Sequence, residues 1–286
     1  MTDSGIRSSF DYFRGRIRDD PSVARDCHLL MHDLGHEALQ KYGSFKSATS
    51  VQDEMCNSGF THGVIEANLE NSPDINNFVS STCGPVTEGN FQQWQCFHGI
   101  GHGVMYVTDK NLEKSIGLCK ILNNNFASGS CVNGVFMEYF INVNHAGQES
   151  LGSGSANINI CRQQQKEYKG DCYLYAPAAY IAQYPNKFFD AETWCKNAEA
   201  DYVMTCISGI GSQAMKENIT QPAYASMICN KMKSVNTKSC VSGAVSLYIN
   251  HHASSEAAKA VCNNEFASNQ QTCQSVVDFK HKNLGI

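Results

Sequence analysis

The segment CRQQQKEYKGDC, residues 161–172, begins and ends with cysteine, and ten residues separate the two. The same spacing recurs at residues 195–206, 229–240 and 262–273. Successive pairs begin 34, 34 and 33 residues apart. A period of this length is typical of solenoids built from helical hairpins. The spacing therefore predicts a helical repeat in this half of the chain.

Each cysteine pair lies between two apolar segments. A short Ala-rich stretch runs into the first Cys, as in EAAKAVC at 256–262, and a polar loop follows. The second Cys then opens a longer apolar stretch, as in CISGIGSQAM at 206–215. We expect two antiparallel helices per repeat, with a disulfide from the end of helix A to the start of helix B. Each bond closes a small loop and stabilises the fold by about 2–3 kcal/mol.

The remaining cysteines extend the pattern toward the N-terminus. Pairs 83/96 and 119/131 enclose twelve and eleven residues. Cys27 and Cys56 each begin a segment that resembles helix B and has no helix A before it, so we expect them to bond with each other and link the starts of adjacent B helices. No C-x-x-C motif occurs, which favours disulfides over a metal cluster. The fold predicted is all-α, a right-handed solenoid of about seven helical hairpins. Its seven disulfides use all fourteen cysteines: Cys27, Cys56, Cys83, Cys96, Cys119, Cys131, Cys161, Cys172, Cys195, Cys206, Cys229, Cys240, Cys262 and Cys273.

The chain divides by composition into two parts of one continuous solenoid. Residues 1–150 hold irregular, His-rich repeats, and residues 151–286 hold the regular Cys-paired repeats. The Gly/Ser-rich stretch 146–159 is expected to be a flexible insertion between them.

The arrangement of short paired helices, with one Cys ending helix A and one opening helix B, resembles the disulfide-bridged Sel1-like repeats of secreted bacterial proteins. These belong to the broader class of tetratricopeptide-type solenoids. The resemblance covers roughly residues 75–286 and is architectural, since the tetratricopeptide signature is absent. It implies a concave face that binds a protein or peptide, and it assigns no functional residue.

The composition of the chain bears on which partners it can bind and on the cellular compartment in which it folds. A net charge of −5 and a pI near 6.0 give no electrostatic basis for binding nucleic acid. No apolar run is long enough to span a membrane. Fourteen paired cysteines predict an oxidising, extracytoplasmic location. The first twenty residues lack the apolar core of a signal peptide, so we expect the export signal to lie outside this chain.

Histidines are concentrated in the first half of the chain. Seven of the ten lie before residue 150. The segments CNSGFTHG at 56–63 and CFHGIGHG at 96–103 share the pattern Cys-x-x-Gly-x-x-His-Gly. In register on their cysteines, adjacent B helices should present His62 and His102 side by side. The paired glycines predict either a close helix approach or an open space above the backbone, because each costs about 1 kcal/mol in a helix.

A second histidine-rich segment, CHLLMHDLGHEAL at 27–39, places three histidines on one helix face. Although a single buried histidine is more often a hydrogen-bonded core residue than a ligand, this clustering favours a metal site. The predicted ligands are His32, His36, His62, His98 and His102, with His28 as the weakest candidate.

Imidazole ligands suit copper or zinc, and also iron. Glu66 and Glu138 are candidate bases if the site catalyses copper-type oxidation or metal-assisted hydrolysis, and the sequence leaves open whether it is an enzyme.

Two alternatives remain at this stage. The chain could be a disulfide-stapled scaffold that binds a protein or peptide on its concave face. A weaker alternative is an HD-type metal-dependent phosphohydrolase, because residues 29–38 (LLMHDLGHEA) resemble the His-Asp segment of that family. The family requires an earlier His ligand, and residues 1–27 contain none.

Overall fold

The computed structural model describes residues 4–87, 89–141 and 158–286. In these ranges the chain forms helices and turns and no β-strand, which confirms the all-α class. Residues 146–157 of the predicted insertion lie outside the described residues, as does His145. None of the described helices combines the length and apolarity needed to cross a bilayer.

Long helices alternate with short ones from α3 onward, which gives seven short–long pairs within the described residues. The helices are α1 Ser4–Asp19, α2 Pro21–Tyr42, α3 Phe45–Thr49, α4 Met55–Glu70, α5 Ile75–Ser81, α6 Phe91–Val107, α7 Leu112–Cys119, α8 Asn125–Ile141, α9 Asn159–Arg162, α10 Lys166–Gln183, α11 Phe188–Trp194, α12 Val203–Glu217, α13 Pro222–Lys231, α14 Ser234–His252, α15 Ser255–Asn264 and α16 Gln270–Leu284. Three short 3-10 turns accompany α11, α12 and α16.

All seven predicted disulfides are present, which confirms the pairing inferred from spacing. Six of them link the end of a short helix to the long helix that follows. The seventh, Cys27–Cys56, joins the long helices α2 and α4.

The chain divides into two compact units. The first comprises Met1–Val135 with Asn250–Ala253, and the second comprises Phe136–Ile249 with Ser254–Leu284. The histidine-rich helices α2, α4 and α6 belong to the first unit, and the regular pairs α11/α12 and α15/α16 belong to the second.

Local sequence signals fix the ends of the helices that carry the histidines. The Asp20 side chain accepts a hydrogen bond from the backbone N–H of Ser22, and Pro21 occupies the first position of α2. Gly43 ends α2 with φ +71°, a left-handed conformation that costs glycine little. Asn90 caps α6 by accepting from the N–H of Gln93. These caps fix where α2 begins and ends and where α6 begins.

Glycines allow α2 and α4 to pack with their backbones close together. A Cβ at Gly59 would overlap the carbonyl oxygen of His28, and a Cβ at Gly63 would overlap that of His32. Of the two uses predicted for the repeated glycines, Gly59 and Gly63 show the close helix approach, whereas Gly99 leaves space for the side chains of His62 and Ile65. The second unit uses the same device between α12 and α14, where a Cβ at Gly211 would overlap the carbonyl oxygen of Cys240.

The start of α4 differs from a regular helix B. Cys56, Asn57 and Ser58 have φ of 56°, 58° and 55°, and helical backbone angles resume at Gly59. Left-handed backbone costs roughly 1–2 kcal/mol per non-glycine residue. Hydrogen bonds stabilise this turn: Gln95 Nε2 donates to Asn57 Oδ1 at 2.8 Å, and the Ser58 hydroxyl donates to Glu54.

The first disulfide also departs from the expected positions. Cys27 lies inside α2 rather than at its start, and α4 does have a short helix before it, α3, which carries no cysteine. Cys27 therefore bonds across to α4, within the same group of long helices that carries the histidines.

Candidate metal centre

Three adjacent helices supply a group of four histidines. His28 and His32 lie one turn apart on α2, His62 lies on α4 and His102 lies on α6. One ring nitrogen from each lies within 4.8 Å of those of the other three. All four side chains are buried, with exposures between 0% and 9%. We call these residues the histidine group.

The separations within the histidine group suit a transition-metal ion. The Nε2 atoms of His28 and His32 are 3.1 Å apart. Metal–nitrogen distances of about 2.0–2.1 Å place the ligands of a tetrahedral site about 3.4 Å from one another. The rings of His62 and His102 stack, with centroids 5.0 Å apart and an angle of 22° between their planes.

Hydrogen bonds orient the two histidines of α2. His28 Nδ1 donates to the carbonyl oxygen of Cys56 at 2.8 Å, and His32 Nδ1 donates to the Glu66 carboxylate at 3.0 Å. Both acceptors lack a proton to give, so each Nδ1 must carry the hydrogen. In the neutral rings both Nε2 atoms then bear lone pairs that face each other. This arrangement suits a cation, either a shared proton or a metal ion.

His62 is the most deeply buried polar side chain of the group. It is 0% exposed, and neither ring nitrogen makes a hydrogen bond of good geometry to any residue that the structure describes. Burial, followed by repulsion from His28 and His98, holds its pKa well below the ordinary value, and a weaker contribution from the Gln95 backbone opposes this. The ring is therefore neutral at pH 7, which is the protonation state that binds metal.

His102 has a similar electrostatic environment. Burial, then the neighbouring His98 and His62, lowers its pKa well below the ordinary value. Both histidines predicted from the repeated Cys-x-x-Gly-x-x-His-Gly segments are thus buried, neutral and in ring contact.

Glu66 lies beside the histidine group on α4. Burial alone would raise its pKa, but the charges and hydrogen bonds of His32 and His36 outweigh burial and lower the pKa to about 2. Its carboxylate lies 3.0 Å from His32 Nδ1 and 3.1 Å from His36 Nε2. Its role as a base stays a prediction. Its geometry is that of a group that orients a histidine ligand.

The structure brings together three of the five predicted ligands, His32, His62 and His102, and adds His28. His36 is the most exposed, with 34% of its side chain accessible, and contacts Glu66. His98 lies with its Nε2 3.2 Å from His102 Nε2 and its ring stacked on Trp94. These two histidines flank the group.

The carboxylates considered from the sequence have different surroundings. Glu138 is buried on α8, in the part of that helix that belongs to the second unit, and its role as a base stays a prediction. Asp33 and Glu37 are exposed on α2. Asp33, the aspartate of the segment that resembles the HD-type family, is therefore not in the histidine group.

The site joins features that a buried metal centre requires: neutral imidazoles at His62 and His102, hydrogen bonds that orient His28 and His32, and a buried negative charge on Glu66. Each of these follows from contacts among α2, α4 and α6. Comparison with known protein families, characterised proteins and solved structures finds no match to this chain.

Proposed function

We propose that this chain is an extracytoplasmic metal-binding protein that holds one divalent transition-metal ion between His28, His32, His62 and His102. The observation that carries the proposal is the convergence of four buried ring nitrogens from three helices within 4.8 Å. A purely structural set of histidines would be hydrogen-bonded in the core. Within the described residues no hydrogen bond of good geometry reaches the ring nitrogens of His62, and a metal ion would satisfy one of them.

The composition of the site favours zinc or copper. Four imidazole nitrogens match the ligand preference of both ions, whereas calcium and magnesium prefer oxygen. Structural zinc sites are closed by four protein ligands, and catalytic sites keep an open position. Because four histidines would fill a tetrahedral site, the arrangement favours a protein that holds or carries the ion. Copper-type oxidation or metal-assisted hydrolysis would require one histidine to leave, and the bound ion would then supply a Lewis-acid or redox centre.

Glu66 is assigned a positioning role in this proposal. Its carboxylate fixes the Nδ1–H of His32 and so presents Nε2 to the ion. His36 donates to the same carboxylate and, being partly exposed, connects it to the surface. Glu66 would also offset part of the positive charge that the ion brings into a buried site.

The location and repeat class belong to the proposal as well. Seven disulfides support an oxidising compartment such as the periplasm or the exterior of a cell. The succession of short and long helices, with a disulfide across six of the pairs, supports a solenoid of helical hairpins similar to Sel1-like repeats. Small-angle scattering that reports a compact sphere would contradict the solenoid.

Metal content tests the proposal directly. Untagged protein, purified without added metal and measured by inductively coupled plasma mass spectrometry, is expected to contain about one zinc or copper ion per chain. The double variant His62→Ala, His102→Ala removes two of four ligands and is expected to contain less than a tenth of that amount. Its far-UV circular dichroism should remain helical, since the disulfides do not depend on these side chains.

The matched control is His281→Ala, because His281 is exposed on α16 and outside the histidine group. This variant should retain its metal. Retention of metal in the double variant would disprove the ligand assignment. Wild-type protein that takes up no zinc or copper, even by titration, would favour the alternative of a scaffold for a protein or peptide.

A further inference from the structure

The residues that follow the histidine group by one helical turn form a layer that reaches the surface. His36, Glu66 and Tyr106 each lie four residues after a member of the group, on α2, α4 and α6 respectively. Residues four apart lie on the same face of a helix. The His36 side chain is 34% accessible and Tyr106 is 49% exposed, whereas Glu66 is buried. We call these three residues the outer layer.

The side of the group away from the outer layer is closed. The residues four positions earlier on the same three helices are His28, Ser58 and His98. Ser58 and His98 are 0% exposed, and His28 is 9% exposed. The ring of Trp94 also stacks on His98, with centroids 4.9 Å apart. The outer layer is therefore the side on which the histidine group lies nearest to solvent.

Contacts of the outer layer lead from solvent to the group. His36 Nε2 lies 3.1 Å from the Glu66 carboxylate, which in turn lies 3.0 Å from His32 Nδ1. The same carboxylate has an oxygen within 4.8 Å of a ring nitrogen of His102. The Tyr106 ring lies beside His36, with centroids 6.4 Å apart. Glu66 thus connects a partly exposed imidazole to two members of the group.

The ligand chemistry of His36 and Glu66 suits a cation in transit. A divalent ion cannot enter a buried site unless protein ligands replace its hydration shell, because an unpaired buried charge is too costly. Carboxylate oxygen and imidazole nitrogen both bind zinc at about 2.0–2.2 Å. The 3.1 Å between the two side chains therefore fits two ligands of one ion. Because the His36 ring is partly exposed, it can exchange its Nε2 hydrogen through solvent for one on Nδ1, which frees Nε2 to bind.

We propose that His36 and Glu66 form a transient loading site through which a divalent transition-metal ion enters and leaves the histidine group. This inference rests on the proposed function and adds a route to it. Two protein ligands leave the other coordination positions to water, so the ion is held there in an exchangeable form. His102 is the next ligand within reach of Glu66, since His32 Nδ1 carries a hydrogen. The ion then exchanges its remaining ligands for the other imidazoles of the group.

Stopped-flow uptake of Co²⁺ by the metal-free full chain tests the route, with the visible absorption of bound Co²⁺ as the signal. Transfer of Co²⁺ from loaded protein to excess chelator measures release. His36→Gln keeps a hydrogen-bond donor for Glu66 but removes the imidazole, and it is expected to slow both uptake and release by about 10-fold or more. Because a ligand used only in transit changes both rates equally, Kd should stay within about 2-fold of the wild-type value.

A second variant and a control accompany this measurement. His36→Arg should slow uptake further, because its positive charge also repels the ion. His281→Gln, which changes an exposed histidine of α16, should leave both rates unchanged.

Each alternative outcome has a distinct meaning. Uptake by both His36 variants at the wild-type rate would overturn the loading site and leave the metal proposal intact. A loss of affinity in His36→Gln with an unchanged uptake rate would also overturn it, because His36 would then be a permanent ligand. Wild-type protein that binds no metal ion at all would overturn both proposals.

Discussion

Single side chains decide the chemistry of the histidine group. We expect His62 to cost free energy in the metal-free protein, because among the described residues neither of its buried ring nitrogens has a hydrogen bond of good geometry. The buried polar atoms of Glu66, by contrast, do have partners, because His32 and His36 both hydrogen-bond to its carboxylate. The two residues therefore respond differently to substitution.

His62→Leu is expected to abolish metal binding while keeping or increasing the stability of the metal-free protein. The replacement fills nearly the same volume and removes two unsatisfied polar atoms, each of which costs about 1–3 kcal/mol. Urea unfolding of metal-free protein measures the change. Ile65→Ala is the contrasting control, because Ile65 is fully buried and its truncation should cost about 2–5 kcal/mol. A loss of stability in His62→Leu as large as in Ile65→Ala would contradict the role given to His62.

Glu66→Gln is expected to weaken metal binding by about 10–100-fold without lowering the number of ions bound at saturation. The amide keeps the shape of the carboxylate but loses the charge that fixes His32 Nδ1–H. Competition with a chromophoric chelator measures the affinity. Glu37→Gln, an exposed change on α2, should have no effect. Loss of metal stoichiometry in Glu66→Gln would instead identify the carboxylate as a direct ligand.

At the scale of the helix, glycine controls whether the histidines can meet. Imidazoles on α2 and α4 reach one another because a Cβ is missing at Gly59 and Gly63, where the α2 backbone passes. This is a different function from the C-terminal cap at Gly43, where glycine supplies a left-handed backbone.

Gly63→Ala is therefore expected to destabilise the protein by several kcal/mol and to abolish metal binding, because the new methyl group would overlap the carbonyl oxygen of His32. Gly117→Ala is the matched control, since Gly117 lies inside α7 with open space around its Cβ position. There the change should add about 0.5–1 kcal/mol through the better helix propensity of alanine. Thermal and urea unfolding compare the two. Equal responses would show that α2 and α4 do not pack this closely.

Helix-level features could be predicted from the sequence where they repeat. The cysteine spacing gave every disulfide, and the shared Cys-x-x-Gly-x-x-His-Gly pattern placed His62 beside His102. The left-handed turn at Cys56–Ser58 could not be anticipated, because none of the three residues is glycine. The contact that orients His28 could not be predicted either, because its partner, the Cys56 carbonyl oxygen, belongs to that turn. The pairing of Glu66 with two histidines required the tertiary packing of α2 on α4.

At the scale of the whole molecule, buried histidines link stability to pH. The pKa values of His62 and His102 are lowered by burial and neighbouring histidines. Burial, with a smaller contribution from His252, lowers the pKa of His251 to about 3, and burial alone lowers that of His252 to about 4. In the unfolded chain these groups take up protons near pH 6.5.

Metal-free protein is therefore expected to be most stable above pH 6.5 and to lose stability progressively as the pH falls below it. Between pH 6.5 and the lowered pKa values, the unfolded state binds more protons than the folded state, so acid favours unfolding. The contribution of Glu66 is lost later, between its ordinary pKa of 4.5 and about 2.

Urea midpoints at pH 8.0, 6.5, 5.5 and 4.5 measure this dependence. The variant His62→Leu, His102→Leu should show a shallower decline, because two of the titrating groups are gone. A constant midpoint from pH 8.0 to 4.5 would show that the histidines are solvated in the folded protein.

The Cys27–Cys56 bond has a consequence for the stage of maturation at which the protein can bind a metal ion. This disulfide joins α2 and α4, the helices that carry His28, His32 and His62. The backbone carbonyl oxygen of Cys56 also accepts the hydrogen bond that orients the His28 ring. A newly synthesised chain whose thiols are still reduced thus lacks the covalent link that holds α2 to α4. Loading is expected to follow oxidation, so the ion would come from the compartment in which the chain matures rather than from the one in which it is made.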